Sequence, residues 1–123
     1  FAPAVLAHRA NEFFELEEDR FEGCPEDYML SVNPVRPKKR AEVPAITHVD
    51  GTARVQLVRR EDNPRYYDVI DRFGSLTGPP LLLNTSLNLR GDPIADSPGD
   101  AIQCLLWSDM DALVVGSYLV TKP

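Results

Sequence analysis

The side chains best suited to bind a phosphorylated ligand follow a short apolar run. Leu81–Leu83 is apolar at every position and is predicted as a strand buried on both faces. Four short polar side chains come directly after it: Asn84, Thr85, Ser86 and Asn88. Hydroxyls, amides and backbone N–H groups at the end of a strand can surround a phosphate without steric obstruction. The alternative is a turn in which Asn and Ser side chains cap their own backbone.

A second polar group surrounds Asp50-Gly51, a dipeptide typical of tight turns between strands. We expect a hairpin with strands at 46–49 and 53–58, the second alternating so that Arg54 faces away from the core. A guanidinium binds two phosphate or carboxylate oxygens at once and stays charged. The alternative is that Arg54 pairs with an acidic residue on a solvated sheet face.

Other common sites are missing from the sequence. His8 and His48 stand 40 positions apart and form no HxxxH or HExxH pattern, so no metal site is predicted. Neither a P-loop nor a dinucleotide-binding glycine pattern is present. Cys24 and Cys104 lack CxxC spacing, which favours reduced thiols and a cytoplasmic location.

Composition limits the class of protein. The 123 residues suffice for one domain, which we predict to span residues 1–123. A net charge of −6 disfavours nucleic acid as a partner, and no apolar run is long enough to cross a membrane. The basic stretch Arg36–Arg40 lies between prolines and is predicted as a solvated loop.

Local patterns predict the elements that must hold these residues in place. Helices are expected at 8–16, from Asn63-Pro64 to Gly74, and from the N-cap Ser97 onwards with 101, 102, 105 and 106 facing inwards. Further strands are expected at 4–7, 28–32, 112–116 and 117–121. Because strands and helices mix without strict alternation, the predicted class is mixed α/β.

Several motifs occur in a fixed order along the chain: Phe1-Ala2-Pro3-Ala4-Val5-Leu6, His48 to Gln56, Asn63-Pro64-x-Tyr66, Leu82 to Asn88, Gly91-Asp92-Pro93-Ile94 and Ser97-Pro98-x-Asp100-Ala101. Together they resemble the C-terminal part of the O-carbamoyltransferases, a family of nodulation-factor and antibiotic-tailoring enzymes. The similarity covers nearly the whole chain. It implies a YrdC-like fold, a twisted open α/β sheet with flanking helices.

The resemblance also implies a reaction and its partners. Such a domain takes carbamoyl phosphate and ATP, with Mg²⁺, and makes carbamoyladenylate with release of phosphate and pyrophosphate. A separate N-terminal transferase domain, which holds its own metal, then passes the carbamoyl group to a substrate hydroxyl. By position, Arg54 matches an arginine that contacts the nucleotide or carbamoyl phosphate, and Ser86 matches a serine that contacts the adenylate. Asn84, Thr85 and Asn88 match the same loop.

The sequence departs from the family pattern in ways that set further expectations. Leu87 stands where phenylalanine is usual, and Asp92 where glutamate is usual. The family's Lys-x-Arg-Glu-x-x-Arg-Pro segment would precede Phe1, so we expect a domain truncated at its N-terminus, holding part of the site and inactive alone. An exposed sheet edge could then pair with a second copy in a homodimer. The alternative is a non-catalytic nucleotide-binding or structural module of the same fold.

Overall fold

The computed structural model describes residues 2–17 and 23–123, so Phe1 of the first motif lies outside it. The chain divides into two compact units, Phe1–Thr85 and Ser86–Pro123. The first contains strands β1 (Ala2–Leu6), β2 (Asn33–Pro34), β3 (Thr52–Ala53), β4 (Gln56–Val58) and β5 (Leu81–Asn84), and helix α1 (Pro64–Thr77). The second contains helix α2 (Pro98–Trp107) and strands β6 (Ala112–Val115) and β7 (Tyr118–Thr121). The predicted mixed α/β class is confirmed.

The main sheet of the first unit has the strand order β4-β1-β5. β1 runs parallel to β4, with Val5 opposite Leu57, and antiparallel to β5, with Val5 opposite Leu81. All five residues of β1 are buried, because strands flank both of its edges and core clusters pack against both of its faces. The prediction that Leu81–Leu83 is buried on both faces is therefore wrong: β5 lies at an edge, and Leu83 is 46% exposed.

The two faces of this sheet pack against different parts of the first unit. Val5, Leu57 and Leu81 share a face and belong to a core cluster that also contains Phe13 and Phe14. On the opposite face, other residues of β1 and β4 pack with Ile70 of α1 in a second cluster. Burying one such aliphatic side chain contributes about 1.5–3 kcal/mol, so α1 is held on that face by packing.

Helix α1 begins and ends as the sequence predicts, within a few residues. The Asn63 side chain accepts a hydrogen bond from the Tyr66 backbone N–H, and Pro64 occupies the first turn. The helix runs beyond the predicted end at Gly74 to Thr77, where Gly78 takes a positive φ of 104°. The chain then turns through Pro80 into β5.

Two predicted elements in the first 32 residues are wrong. Instead of a helix over 8–16, a 3₁₀ helix covers Ala7–Glu12, and the backbone then turns so that Phe13 and Phe14 both enter the core. Instead of a strand over 28–32, a 3₁₀ helix at Pro25–Tyr28 ends in a residue with positive φ, Met29. The basic stretch Arg36–Arg40 is exposed except for the half-buried Lys39, but two of its arginines donate hydrogen bonds to backbone carbonyls.

The second unit is a capped helix and a hairpin. Ser97 and Asp100 form a capping box at the start of α2, as the sequence predicts. Ala101 and Leu105 face inwards, whereas Ile102 and Leu106 are exposed, contrary to the prediction. Strands β6 and β7 pair antiparallel across Gly116, with Leu113 opposite Val120. No helix in the described part of the chain is both long enough and apolar enough to span a membrane.

Candidate functional site

Arg54 stands just before β4, between two fully buried residues, Ala53 and Val55. Its own side chain is exposed, so the predicted alternation of apolar and polar residues is confirmed here. Within the described residues, the Arg54 guanidinium has no hydrogen bond or ion pair. The suggested acidic partner on the sheet face is therefore absent from this part of the chain, and the cation is available to a ligand.

The turn before Arg54 differs from the predicted hairpin. The segment 46–49 is not a strand: a 3₁₀ helix at Pro44–Ile46 leads into a tight turn, and β3 pairs instead with β2. The turn closes through His48 N–H donating to Thr52 O at 2.8 Å, and the Asp50 carboxylate accepts from the Thr52 hydroxyl at 2.7 Å. The hydrogen bonds that Asp50 accepts from the Thr52 hydroxyl and from the Thr52 backbone N–H lower the pKa of Asp50. The His48 side chain is exposed, although its backbone N–H takes part in the turn. Among the described residues, His48 belongs to no cluster of metal-ligating side chains.

Asn84 is the last residue of β5, and its side chain is half-buried. Its amide nitrogen donates to Gln56 Oε1 at 2.5 Å and to Met29 Sδ at 3.8 Å. An amide nitrogen carries two hydrogens, and both have an acceptor here. The Asn84 side chain therefore offers a ligand its carbonyl oxygen, not its N–H groups.

Sheet register places Arg54 and Asn84 at the same end of the main sheet. Ala2, at the start of β1, pairs with Asn84 on one side. On the other side Ala4 pairs with Gln56, the first residue of β4, and Arg54 lies two residues before it. Side chains two residues apart lie on the same face of an extended strand. Gln56 and Asn84 consequently share one face of this sheet, and Arg54 lies at the same end.

Thr85 ends the first unit, and its exposed side chain makes no hydrogen bond within the described residues. Ser86 and Asn88 belong to the second unit and contact each other: the Ser86 hydroxyl donates to Asn88 Oδ1 at 2.5 Å. The Asn88 amide donates to Leu89 O and to Asp92 O, both at 3.0 Å. Asn88 thus holds the 88–92 turn closed, as in a turn capped by its own side chains, and its amide hydrogens are already used.

The Ser86 hydroxyl keeps its acceptor capacity. Its hydrogen points to Asn88, while the oxygen is exposed and can accept a hydrogen bond from a ligand. To donate to a phosphate oxygen, the hydroxyl would have to rotate away from Asn88. The backbone of the loop is fixed independently by Ala95 N–H donating to Leu87 O at 2.9 Å.

Comparison with known proteins identifies the family of this chain. Residues 1–122 match the family described as "Carbamoyltransferase C-terminus". The chain belongs to this family. Nodulation protein NolNO of Sinorhizobium fredii is 52% identical to it over 122 residues, which are 99% of this chain and 18% of that protein. The resemblance on which the sequence prediction depends is therefore confirmed.

Two further relatives extend the comparison. Nodulation protein NolO of Bradyrhizobium diazoefficiens is 50% identical over 99% of the chain and 22% of its own length. Nodulation protein U of Rhizobium tropici is 35% identical over 98% of the chain and 20% of its own length. The chain thus spans about a fifth of the length of these curated relatives. It is a member of the carbamoyltransferase C-terminus family, similar to one part of longer proteins.

A cavity of about 300 Å³ in the first unit of this family member opens beside β4 and the start of α1. Its lining includes Gln56, Arg59, Asp27, Asn63 and Tyr66. Arg59 forms an ion pair with Asp27, and the hydrogen bond to Asp27 raises the pKa of Arg59. Burial raises the pKa of Tyr66. Arg59 therefore neutralises a neighbouring carboxylate, unlike Arg54.

The second unit contains an acidic cavity of about 360 Å³ whose lining includes Asn88, Asp92, Asp96 and Asp100. Hydrogen bonds from Ser97 lower the pKa of Asp100. Across residues 2–17 and 23–123, no group of three or more His, Cys, Asp or Glu side chains is arranged to hold a metal ion.

Sequence reasoning missed Gln56 and Met29 as partners of Asn84. Gln56 is on the polar side of the alternation that exposes Arg54, two positions away, and this spacing is a signal that could have identified it. Met29 has no comparable signal, because its position depends on the positive φ of 56° at the end of a 3₁₀ helix.

Proposed function

We propose that this chain contributes the nucleotide side of a site that makes carbamoyladenylate, in a polypeptide that transfers a carbamoyl group to a substrate hydroxyl. Carbamoyl phosphate would first lose phosphate to water, leaving carbamate. A carbamate oxygen would then bond to the α-phosphorus of ATP while the bond to pyrophosphate breaks. The carbamoyl group would finally pass to the hydroxyl, with release of AMP.

The observation that carries this proposal is the Arg54 guanidinium, which has no hydrogen bond or ion pair within the described residues and lies at the same sheet end as Asn84. During attack on the α-phosphorus, negative charge develops on the phosphate oxygens and the leaving group. A cation that has no carboxylate partner in the described residues can stabilise that charge without breaking an ion pair there. Carbamate is already anionic, so the step needs no general base from this chain.

The loop after β5 supports the same proposal through Thr85 and Ser86. Both hydroxyls are exposed, and that of Thr85 has no partner in the described chain. Asn88 would act on the ligand indirectly, by holding the turn that presents Ser86. Mg²⁺ would arrive bound to the phosphate oxygens of ATP.

The longer polypeptide would supply further parts of the site, in addition to those that this chain contributes. The relatives are about five times as long as the matched segment. We propose that a transferase domain with its own metal, as the family resemblance implies, supplies the acceptor site. The cytoplasmic location and the pairing of sheet edges in a homodimer belong to the same proposal.

The test uses the natural polypeptide that contains this chain. Pyrophosphate release from ATP is measured with and without carbamoyl phosphate, for the wild type, Arg54→Ala, Arg54→Lys and Arg72→Ala. Arg72 is an exposed arginine of α1 without a hydrogen bond or ion pair in the described residues, so it is a charge-matched control. We expect carbamoyl phosphate to be required, and Arg54→Ala to lower kcat/KM on the order of 10²-fold.

Two results would contradict this proposal. Wild type that releases no pyrophosphate in response to carbamoyl phosphate would exclude the adenylation reaction. Equal rates for Arg54→Ala and Arg72→Ala would remove Arg54 from the site. Arg54→Lys should recover only part of the rate, since an ammonium lacks the two-point geometry of a guanidinium.

A further inference from the structure

We propose that Asn84 recognises an amino group of the ligand through its carbonyl oxygen, and that Gln56 and Met29 are the positioning residues that impose this polarity. The inference rests on the proposed function for the identity of the ligands. It changes the role expected of Asn84, because the residue would accept a hydrogen bond from an N–H group of the ligand instead of binding phosphate.

Both amide hydrogens of Asn84 have acceptors. One points to Gln56 Oε1 at 2.5 Å and the other to Met29 Sδ at 3.8 Å. Rotating the Asn84 amide alone by 180° would bring its oxygen against two acceptors, Gln56 Oε1 and Met29 Sδ. Gln56 could reverse with it and present its N–H groups, but the Met29 thioether cannot donate, so that arrangement loses one hydrogen bond. The orientation with the oxygen towards open space is therefore the one that its neighbours favour.

The sheet brings the Gln56 and Asn84 side chains together across β1. Gln56 lies on β4 and Asn84 on β5, and neighbouring strands are about 4.8 Å apart, so the two residues are separated by β1. Their partners on β1 are Ala4 and Ala2, which pair with Gln56 and Asn84 respectively and so share their face of the sheet. Because alanine side chains are short, the two amides can meet above β1.

The backbone conformation of Met29 places its sulfur near Asn84. Its φ of 56° is a left-handed conformation, and Met29 is the only non-glycine residue with positive φ in the described chain. Such conformations persist where the surrounding structure holds them, and they concentrate at functional sites. Here the conformation ends a 3₁₀ helix and brings the Met29 sulfur within reach of Asn84.

The remaining hydrogen-bonding groups define the ligand. Asn84 retains one acceptor, its carbonyl oxygen. An N–H group of a ligand complements this acceptor. Both the carbamoyl group and the amino-bearing edge of adenine carry such a donor, whereas a phosphate oxygen offers nothing for Asn84 to accept.

The test measures selectivity in the natural polypeptide that contains this chain. One arm compares kcat/KM for ATP with that for ITP, which has a carbonyl oxygen where ATP has the amino group. The other arm measures KM for carbamoyl phosphate. The variants are Asn84→Leu, Gln56→Leu and Gln56→Glu, with Gln103→Leu as the control because Gln103 is the other glutamine of the chain and is exposed on α2.

We expect Asn84→Leu and Gln56→Leu to change one of these two quantities by about tenfold or more, because a site that hydrogen-bonds a substrate group discriminates strongly against its loss. A collapse of the ATP to ITP ratio identifies the adenine amino group. A raised KM for carbamoyl phosphate with an intact ratio identifies the carbamoyl amino group. Gln56→Glu keeps an acceptor for the Asn84 amide, so it should preserve whichever of the ATP to ITP ratio and the KM for carbamoyl phosphate changes in Gln56→Leu.

If Gln56→Leu does not fold, Gln56→Ile replaces it, since isoleucine suits a β-strand and has no hydrogen-bonding atom in its side chain. The inference is overturned if the wild type is active and if Asn84→Leu and the Gln56 variants leave both the ATP to ITP ratio and the KM for carbamoyl phosphate unchanged. It is also overturned if Gln56→Glu fails in the same way as Gln56→Leu. Should the wild type lack pyrophosphate release, calorimetric Kd values for ATP and ITP still test the inference, and only the proposed function fails.

Discussion

Gly74 of α1 lies directly against Pro80, at the turn that leads into β5. A β-carbon at Gly74 would stand 2.6 Å from the β-carbon of Pro80 and 2.8 Å from its α-carbon. The backbone of the proline turn can therefore approach the helix only because residue 74 has no side chain. This contact brings β5, and with it Asn84, alongside β1.

Replacing Gly74 by alanine should consequently destabilise the first unit. Overpacking a tight contact costs about 1–3 kcal/mol, and the neighbouring atoms belong to backbone and a rigid ring that cannot turn aside. The free energy of unfolding, measured by urea denaturation, gives the result. Gly99→Ala in α2 is the matched control, because its nearest neighbour would be Ser97 Oγ at an ordinary 3.6 Å. Equal effects of the two substitutions would exclude a steric role for Gly74.

Local signals in the sequence were enough to predict helices α1 and α2 and the last hairpin. Asn63-Pro64 begins α1 and Ser97 begins α2, because a capping side chain and a proline act on backbone groups only a few residues away. The glycine at 116 separates β6 from β7 for an equally local reason, since its φ of 59° is costly for other residues. These elements require no knowledge of their neighbours.

Predictions failed where packing between distant segments decides the structure. Phe13 and Phe14 are spaced as in a helix, yet both are buried after the 3₁₀ helix has ended. Leu81–Leu83 is uniformly apolar, but β1 occupies the centre of the sheet, which leaves Leu83 at an edge. For the same reason, Arg54 could be predicted from its motif, whereas its neighbourhood with Asn84 depends on a strand register that no local pattern encodes.

Glu26 provides a test of pH dependence in the fold. It is buried, and its carboxylate accepts from Ser31 Oγ at 2.6 Å and from Asn33 Nδ2 at 3.1 Å. Burial alone would raise the pKa of Glu26, but the hydrogen bonds outweigh it and lower the pKa below its ordinary 4.5. The folded state thus holds the proton less tightly than the unfolded state, so this stabilisation is present above pH 4.5 and is lost as the pH falls through the folded pKa.

The substitution Glu26→Gln should therefore reduce the free energy of unfolding at pH 7 by about 0.5–1.5 kcal/mol, with the difference from wild type shrinking below pH 4.5. Urea denaturation at a series of pH values measures both. Glu61→Gln, at an exposed position without a hydrogen bond in the described residues, should leave the pH profile unchanged. A constant difference between wild type and Glu26→Gln across this range would contradict the assignment.

The ion pair between Arg59 and Asp27 should stabilise the first unit more than an exposed pair does. Their side chains are 15% and 11% exposed, and Asp27 also accepts from the Gly23 N–H at 2.8 Å. Water competes weakly at such a position, and hydrogen bonds to charged groups contribute about 1.5–3 kcal/mol. The link ties the end of β4 to the 3₁₀ helix that precedes Met29.

A double-mutant cycle with Arg59→Ala and Asp27→Ala measures the coupling free energy. The control cycle uses Arg60→Ala and Asp68→Ala, a pair at 2.7 Å whose side chains are 57% and 59% exposed. We expect the control coupling to stay below about 1 kcal/mol and to disappear in high salt, which screens exposed charges most strongly. If both cycles give the same coupling with the same salt dependence, burial does not strengthen the Arg59 pair, and the packing around Asp27 must hold this segment instead.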